Sequence, residues 1–273
     1  MTTSYLVSID NVISALALPD RARVDQRVPK KMLAEHAPTA ADRRLLTDGI
    51  EEMQWVAALK PSTVAIPEHR SEEREYLEVA VLAVQVRASH ARPSQLLRLT
   101  ELVHRAVPYP VFLVQALTGA EAAGPDVGEP VAISLSHKRA SQNEAGKTVL
   151  DGELIRCELG SSDAVSPTVT QALLEALALS RQRQLDLADL YQGWMDCLTA
   201  AQAACITGHF RPPSNSAEAA SRREALRTCQ QLEQEATRLR NLAAKERQIA
   251  KQVDLNLALQ RLEVNLKEAR ARL

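Results

Sequence analysis

Acid, base and metal chemistry need side chains held at fixed spacing, and this sequence offers few such sets. The strongest pairs a carboxylate with a lysine. Glu78 opens an apolar run that reads as a strand, and Lys138 lies in another. In a restriction-endonuclease-like core, strand carboxylates hold Mg²⁺ and a nearby lysine positions or activates the attacking water. Here Val79 and Ala80 follow Glu78, so the lysine or glutamine expected two residues on is missing and Lys138 would serve from another strand. A metal-dependent nuclease, or a degenerate relative of that fold that only binds DNA, is therefore the enzymatic alternative.

Other catalytic patterns are not met. The histidines (His36, His69, His90, His104, His137, His209) lack the spacing of a zinc site. Cys157, Cys197, Cys205 and Cys229 lack C-x-x-C spacing and read as free thiols in a reducing cytoplasm. Gly146-Lys147-Thr148 lacks the upstream glycine of a phosphate-binding loop, and no nucleophile elbow is found. No cofactor and no bound metal are expected.

A net charge of −1 gives no global field toward nucleic acid, so any such binding falls to a local patch. Arg27, Lys30 and Lys31 in a basic connector, Lys60, and Lys138 with Arg139 are the candidates. Together they would form one edge for DNA or RNA phosphates; separately they are solvated cations.

Stepping from residues to elements, 45% hydrophobic and 25% charged residues describe a globular chain, and 3% aromatics tilt it toward helix. There is neither a basic-then-apolar leader nor an apolar run near membrane-spanning length, so a cytoplasmic protein is expected. The spacing predicts helices over 9–18, 40–59 (Leu46, Ile50, Met53 and Ala57 as its stripe, Thr39 as its cap) and 93–105. It predicts strands over 62–66, 76–87, 111–117, 131–136 and 149–159, the last three joined as a meander through turns at 119–128 and 139–147. Residues 76–87 alternate little, as in a strand covered on both faces. The expected fold is α+β: a mixed α/β core of about four or five strands over 1–160, then a long antiparallel, coiled-coil-like helical hairpin over 166–273.

The last quarter of the chain, from 217 onward, has no Pro or Gly and reads as one continuous helix capped by Ser214 or Ser216. At 100° per residue, Leu232, Leu239, Leu242, Ile249, Val253 and Leu257 share one face, and Leu255, Leu259, Leu262, Leu266, Ala269 and Leu273 lie nearly opposite. The stripe changes sides near Leu255. Such a helix is contacted from two directions: on its N-terminal half by the preceding helix, and on its C-terminal half by the core, a second copy or another protein. Glu246, Gln248, Lys251, Leu255, Asn256, Leu259, Leu262 and Leu266 are the candidate partner-binding residues.

Several runs, in order, resemble the bacterial domain-of-unknown-function family 4391. They are Leu18-Pro19 with Arg27-Val-Pro-Lys-Lys31, Leu46-Thr-Asp-Gly-Ile-Glu-Glu-Met-Gln-Trp55 through Leu59-Lys-Pro-Ser-Thr63, Glu78-Val-Ala-Val81, Ala106-Val-Pro-Tyr-Pro110, His137-Lys-Arg139, Glu246-Arg-Gln-Ile249 and Val253-Asp-Leu-Asn256. The chain departs from the family pattern at His137, Ile249 and Ala250, where a tyrosine, an aromatic and a polar residue are usual. The resemblance implies a component of anti-phage or restriction-like gene clusters that encode helicases and DNA methyltransferases. The function expected from all of this is a non-catalytic scaffold or adaptor that engages a helicase, methyltransferase or nuclease through its C-terminal helices. A homo-oligomer and DNA contact through the basic patch are the further partners considered, and no membrane.

Overall fold

The computed structural model describes residues 7–118, 130–141, 148–160 and 165–273. The expected turn at 119–128 and the Gly146-Lys147 pair lie outside them. The chain divides into two compact units, Met1–Leu198 and Thr199–Leu273.

The first unit is mixed α/β, as expected. Its elements are α1 (Ile9–Ala15), β1 (Arg23–Arg27), α2 (Lys30–Glu35), α3 (Ala40–Arg44), β2 (Ile50–Leu59), α4 (Pro61–Val64), β3 (His69–Arg70), β4 (Glu75–Tyr76), β5 (Val79–Arg87), α5 (Pro93–Ala106), β6 (Val111–Thr118), β7 (Val131–Ala140), β8 (Thr148–Leu159), α6 (Pro167–Ala176) and the start of α7 (Leu187–Thr207). Six strands form one sheet in the order β1-β2-β5-β6-β7-β8. Only β5 and β6 run parallel, with α5 as their crossover, and β6-β7-β8 is the expected antiparallel meander.

The sheet exceeds the expected four or five strands because β1 and β2 were read otherwise. Residues 50–59 were expected to extend a helix. They form a strand paired with β5, and the ladder between the two shifts register twice, between Ile50 and Glu52 and between Trp55 and Ala57. Each bulge sets two residues against one and turns a two-residue period into three. Ile50, Met53 and Val56 are thereby buried at a spacing that imitates a helix. Where a strand was expected over 62–66, Pro61–Val64 form a single helical turn with Pro61 at its first position, closed by left-handed Ala65 (φ 59°).

Both faces of the sheet are covered. Ala80, Leu82, Val84 and Val86 of β5 pack with Leu99, Leu102 and Val103 of α5 and with Leu33, Leu46 and Met53. On the other face, Phe112 meets Trp194 of α7 edge to face, with ring centroids 5.1 Å apart. The Trp194 Nε1–H donates to the Leu177 carbonyl, and the Tyr191 hydroxyl donates to the Val111 carbonyl and accepts from the Ser136 N–H. These aromatics hold the first turns of α7 to the sheet. That is why the unit boundary falls at Leu198 rather than near residue 160.

α3 is tied to α5 by a half-buried ion pair. Asp42 accepts Nε and Nη2 of Arg98, each at 2.8 Å, and the Thr39 hydroxyl at 2.8 Å. The Arg98 guanidinium, helped by Thr39, holds the Asp42 carboxyl down at about 2. A depressed carboxyl stabilises the fold above its unfolded value of 3.8, and the contribution disappears as pH falls through about 2. Asp42→Asn should therefore cost on the order of 2 kcal/mol at pH 5 and almost nothing by pH 2 in urea unfolding. A cost independent of pH across that window would contradict the ion pair.

In the second unit, the continuous terminal helix expected from 217 onward is two helices, α8 (Ser216–Lys245) and α9 (Ile249–Arg270). Asn215, not a serine, caps α8, its side chain accepting the Glu218 N–H. The break needs neither Pro nor Gly. Glu246 and Gln248 turn extended, and the Glu246 carboxylate accepts the N–H groups of Arg247 (2.8 Å) and Gln248 (2.9 Å).

Candidate interaction site

The reversal at Glu246 decides which residues of the last quarter are available. α9 returns antiparallel along α8, as its ion pairs show: Arg240 with Glu263 at 3.4 Å and Glu233 with Arg270 at 2.8 Å. Ala236 and Leu239 of α8 pack with Leu262, joined by Leu232, Leu255, Ala258 and Leu259. Cys229 packs with Leu266 and Ala269, joined by Leu232 and Leu273. Of the expected partner-binding residues, Leu255, Leu259, Leu262 and Leu266 are thus engaged within the chain. The change of stripe near Leu255 follows from the break, because a helix that reverses meets its neighbour with a different face.

The opposite face of α9 is open. Ile249 (78% exposed), Val253 (51%), Leu257 (48%) and Val264 (58%) fall within about 80° of one another around the helix, nearly opposite the face on α8. Leu242 at the end of α8 is exposed as well. At the tip, Leu242, Lys245, Glu246, Lys251, Asp254 and Leu255 line an open depression of 440 Å³. Glu246 sits there with its carboxyl lowered chiefly by the Gln248 N–H, and Gln248 and Asn256 are exposed. The wheel had placed Ile249, Val253 and Leu257 together, but on a helix thought to be continuous they were given to the preceding helix. Val264 was missed for the same reason.

In the first unit the candidate cations are engaged one by one. Lys30 Nζ donates to the Thr47 (3.1 Å) and Ile50 (2.7 Å) carbonyls and so closes the turn before β2. Arg27 lies 3.7 Å from Glu52, Lys60 3.0 Å from Glu78, and Arg139 3.8 Å from Asp151. Lys31 is exposed beside Glu35 and Arg43 at an open depression of 390 Å³. Lys138 corrects the expectation most clearly. It is 3% exposed, with Nζ donating to the His104 and Val107 carbonyls at the end of α5, so its charge closes a helix terminus and does not reach a phosphate. Glu78 is buried, Lys60 holds one of its oxygens, and the other has no hydrogen-bond partner among the described residues.

Two interior features gave no signal in sequence because their residues lie far apart along the chain. The Tyr76 hydroxyl bonds His137 Nδ1, His137 Nε2 lies 2.9 Å from Gln192 Oε1, and Gln192 Nε2 donates to Asp196 at 2.8 Å. Since the Gln192 oxygen only accepts, the geometry assigns the His137 proton to Nε2 and makes Nδ1 the acceptor of the tyrosine. Burial raises the Tyr76 and Tyr191 phenols far above their usual range, so both stay protonated. An apolar cavity of 150 Å³ lies elsewhere in this unit, lined by Val28, Met32, Met53, Trp55, Ala80 and Tyr109 among others. Among the described residues no group of three or more His, Cys, Asp or Glu could hold a metal ion, and no helix is long and apolar enough to cross a membrane.

A family model described as Domain of unknown function (DUF4391) matches residues 16–266. The chain belongs to this family. The DUF4391 match runs from the end of α1 to Leu266, so it takes in the sheet and the α8–α9 hairpin with its open face. No curated protein and no solved structure matches the chain.

Burial drives the Lys138 ammonium down to about 7 from 10.5, and lowers the neighbouring His104 imidazole to about 3 through burial first and the lysine charge second. A lysine depressed in the folded state binds its proton more tightly when unfolded, so stability should rise between pH 7 and pH 10.5. Urea unfolding of wild type and Lys138→Met should diverge by several kcal/mol across that range, the wild type gaining. Parallel curves would contradict the buried ammonium.

Proposed function

We propose that the chain is a non-catalytic scaffold or adaptor subunit of a bacterial defence assembly, and that the C-terminal hairpin is the element by which it assembles. The observation that carries this reading is the outward apolar face of α9. Large apolar side chains aligned on one helix face and left in solvent mark a surface that another helix covers. The family resemblance supports the kind of neighbour: a helicase, methyltransferase or nuclease acting on DNA in the cytoplasm. Five of the six candidate cations of the first unit, all but Lys31, are engaged with carboxylates or carbonyls, which favours protein contact over a phosphate-binding edge.

The test is purification of the tagged chain from cells carrying its gene neighbourhood, beside the Val253→Asp/Leu257→Asp variant. One of the named enzymes should co-purify in fixed stoichiometry with the wild type and be depleted at least about tenfold with the variant, at unchanged helical content. Equal recovery with the variant, or no such partner, would contradict the reading.

A second reading, a divalent-metal nuclease, is favoured by the unpartnered buried oxygen of Glu78 beside Lys60. It expects plasmid cleavage with Mg²⁺ or Mn²⁺ that Glu78→Ala abolishes. Intact plasmid, or cleavage indifferent to Glu78, removes it.

A further inference from the structure

The open face of α9 carries a finer pattern than exposure alone. Val253, Leu257, Gln260, Val264 and Lys267 follow the alternating four- and three-residue steps of a coiled-coil seam, and the 22 residues of α9 span about three heptads. The two flanks of that seam differ. On the flank toward α8, Glu263 and Arg270 are held by Arg240 and Glu233. On the other, Asp254, Arg261 and Glu268 recur every seven residues with alternating sign. All three are exposed, and among the described residues none is in an ion pair.

We infer that this face pairs with α9 of a second copy of the chain, antiparallel, about a two-fold axis between Leu257 and Gln260. The inference rests on the reading of the hairpin as an assembly element and names what covers the stripe: a second copy, with the enzyme engaging the paired hairpins, so that Val253→Asp/Leu257→Asp loses the enzyme by separating the pair. Reversing a minus, plus order gives its complement. Antiparallel copies therefore set Asp254 against Arg261 of the second copy, twice by symmetry. The same register places Val253 against Val264 of the second copy and Leu257 against Gln260. A slip of one heptad either way opposes Arg261 to Arg261 or Asp254 to Asp254, so charge fixes the register. A parallel pair would turn the charged flank toward the one already held by α8 and set Glu268 against Glu263. Gln260 in the seam lowers affinity while specifying alignment, as polar residues at such positions do.

Sedimentation velocity of the full chain at micromolar concentrations tests this. The wild type should be a dimer, and Asp254→Arg and Arg261→Asp alone should each dissociate about tenfold more readily, since each turns two attractive pairs repulsive. An equimolar mixture of the two variants should recover the dimer, because each supplies the sign the other lost. If either variant loses helical content, Gln260→Leu replaces it, expected to tighten the dimer about tenfold. A monomeric wild type, singles that pair like wild type, or a mixture that stays monomeric would each overturn the antiparallel pair. A monomeric wild type whose co-purifying enzyme is still lost with Val253→Asp/Leu257→Asp overturns it while leaving the adaptor reading in place. A dimer that brings down no enzyme does the reverse.

Discussion

α9 is a helix with two apolar faces, one of which α8 covers. A straight helix covers only the stripe turned toward it, so α8 takes Leu255, Leu259, Leu262 and Leu266 and leaves Ile249, Val253, Leu257 and Val264 outside. Full burial of such a side chain is worth roughly 1.5–3 kcal/mol. Covering the open face would therefore release several kcal/mol, a large fraction of an ordinary domain's net stability. That imbalance is the strongest statement the molecule makes about how it works.

The first unit is resolved inward by comparison. Its sheet is covered on both faces, and many of its buried polar groups are satisfied within the fold. Lys30 closes a turn and Lys138 a helix terminus through carbonyls, Asp42 clamps Arg98, and Tyr191 stitches β6 to β7. Such groups are costly to bury alone and rigidifying once satisfied. The unit behaves as a frame, and the second unit supplies the exposed surface.

Legibility in the sequence followed how local the causes were. β5 and β6 could be read because strands covered on both faces are apolar without alternation, and α5 because Pro93 starts it on a periodic stripe. β2 was misread because bulges are set by the partner strand, which local spacing does not reveal. The reversal after Lys245 was missed because its cause is Glu246 bonding two N–H groups, with no breaker residue to mark it. The two-faced pattern of the last quarter was nonetheless visible. Its meaning changed once the helix was seen to turn back: the residues expected to face a partner pack on α8, and those assigned to the preceding helix face out. Lys138 was singled out by residue type and neighbourhood, and nothing local marked its burial at the end of α5, where it donates to two carbonyls.

The double face of α9 exists only if the chain reverses, and one distance decides that. Spin labels at Glu233→Cys and Arg270→Cys, in a background where exposed Cys205 is serine, sit at positions that form an ion pair across the hairpin. Doubling back places the labels within about 20 Å of each other, whereas an unbroken helix would hold the same positions about 55 Å apart at 1.5 Å per residue. A distribution centred on the short distance is the expected result, and one centred near the long distance would contradict the hairpin and the open face built on it.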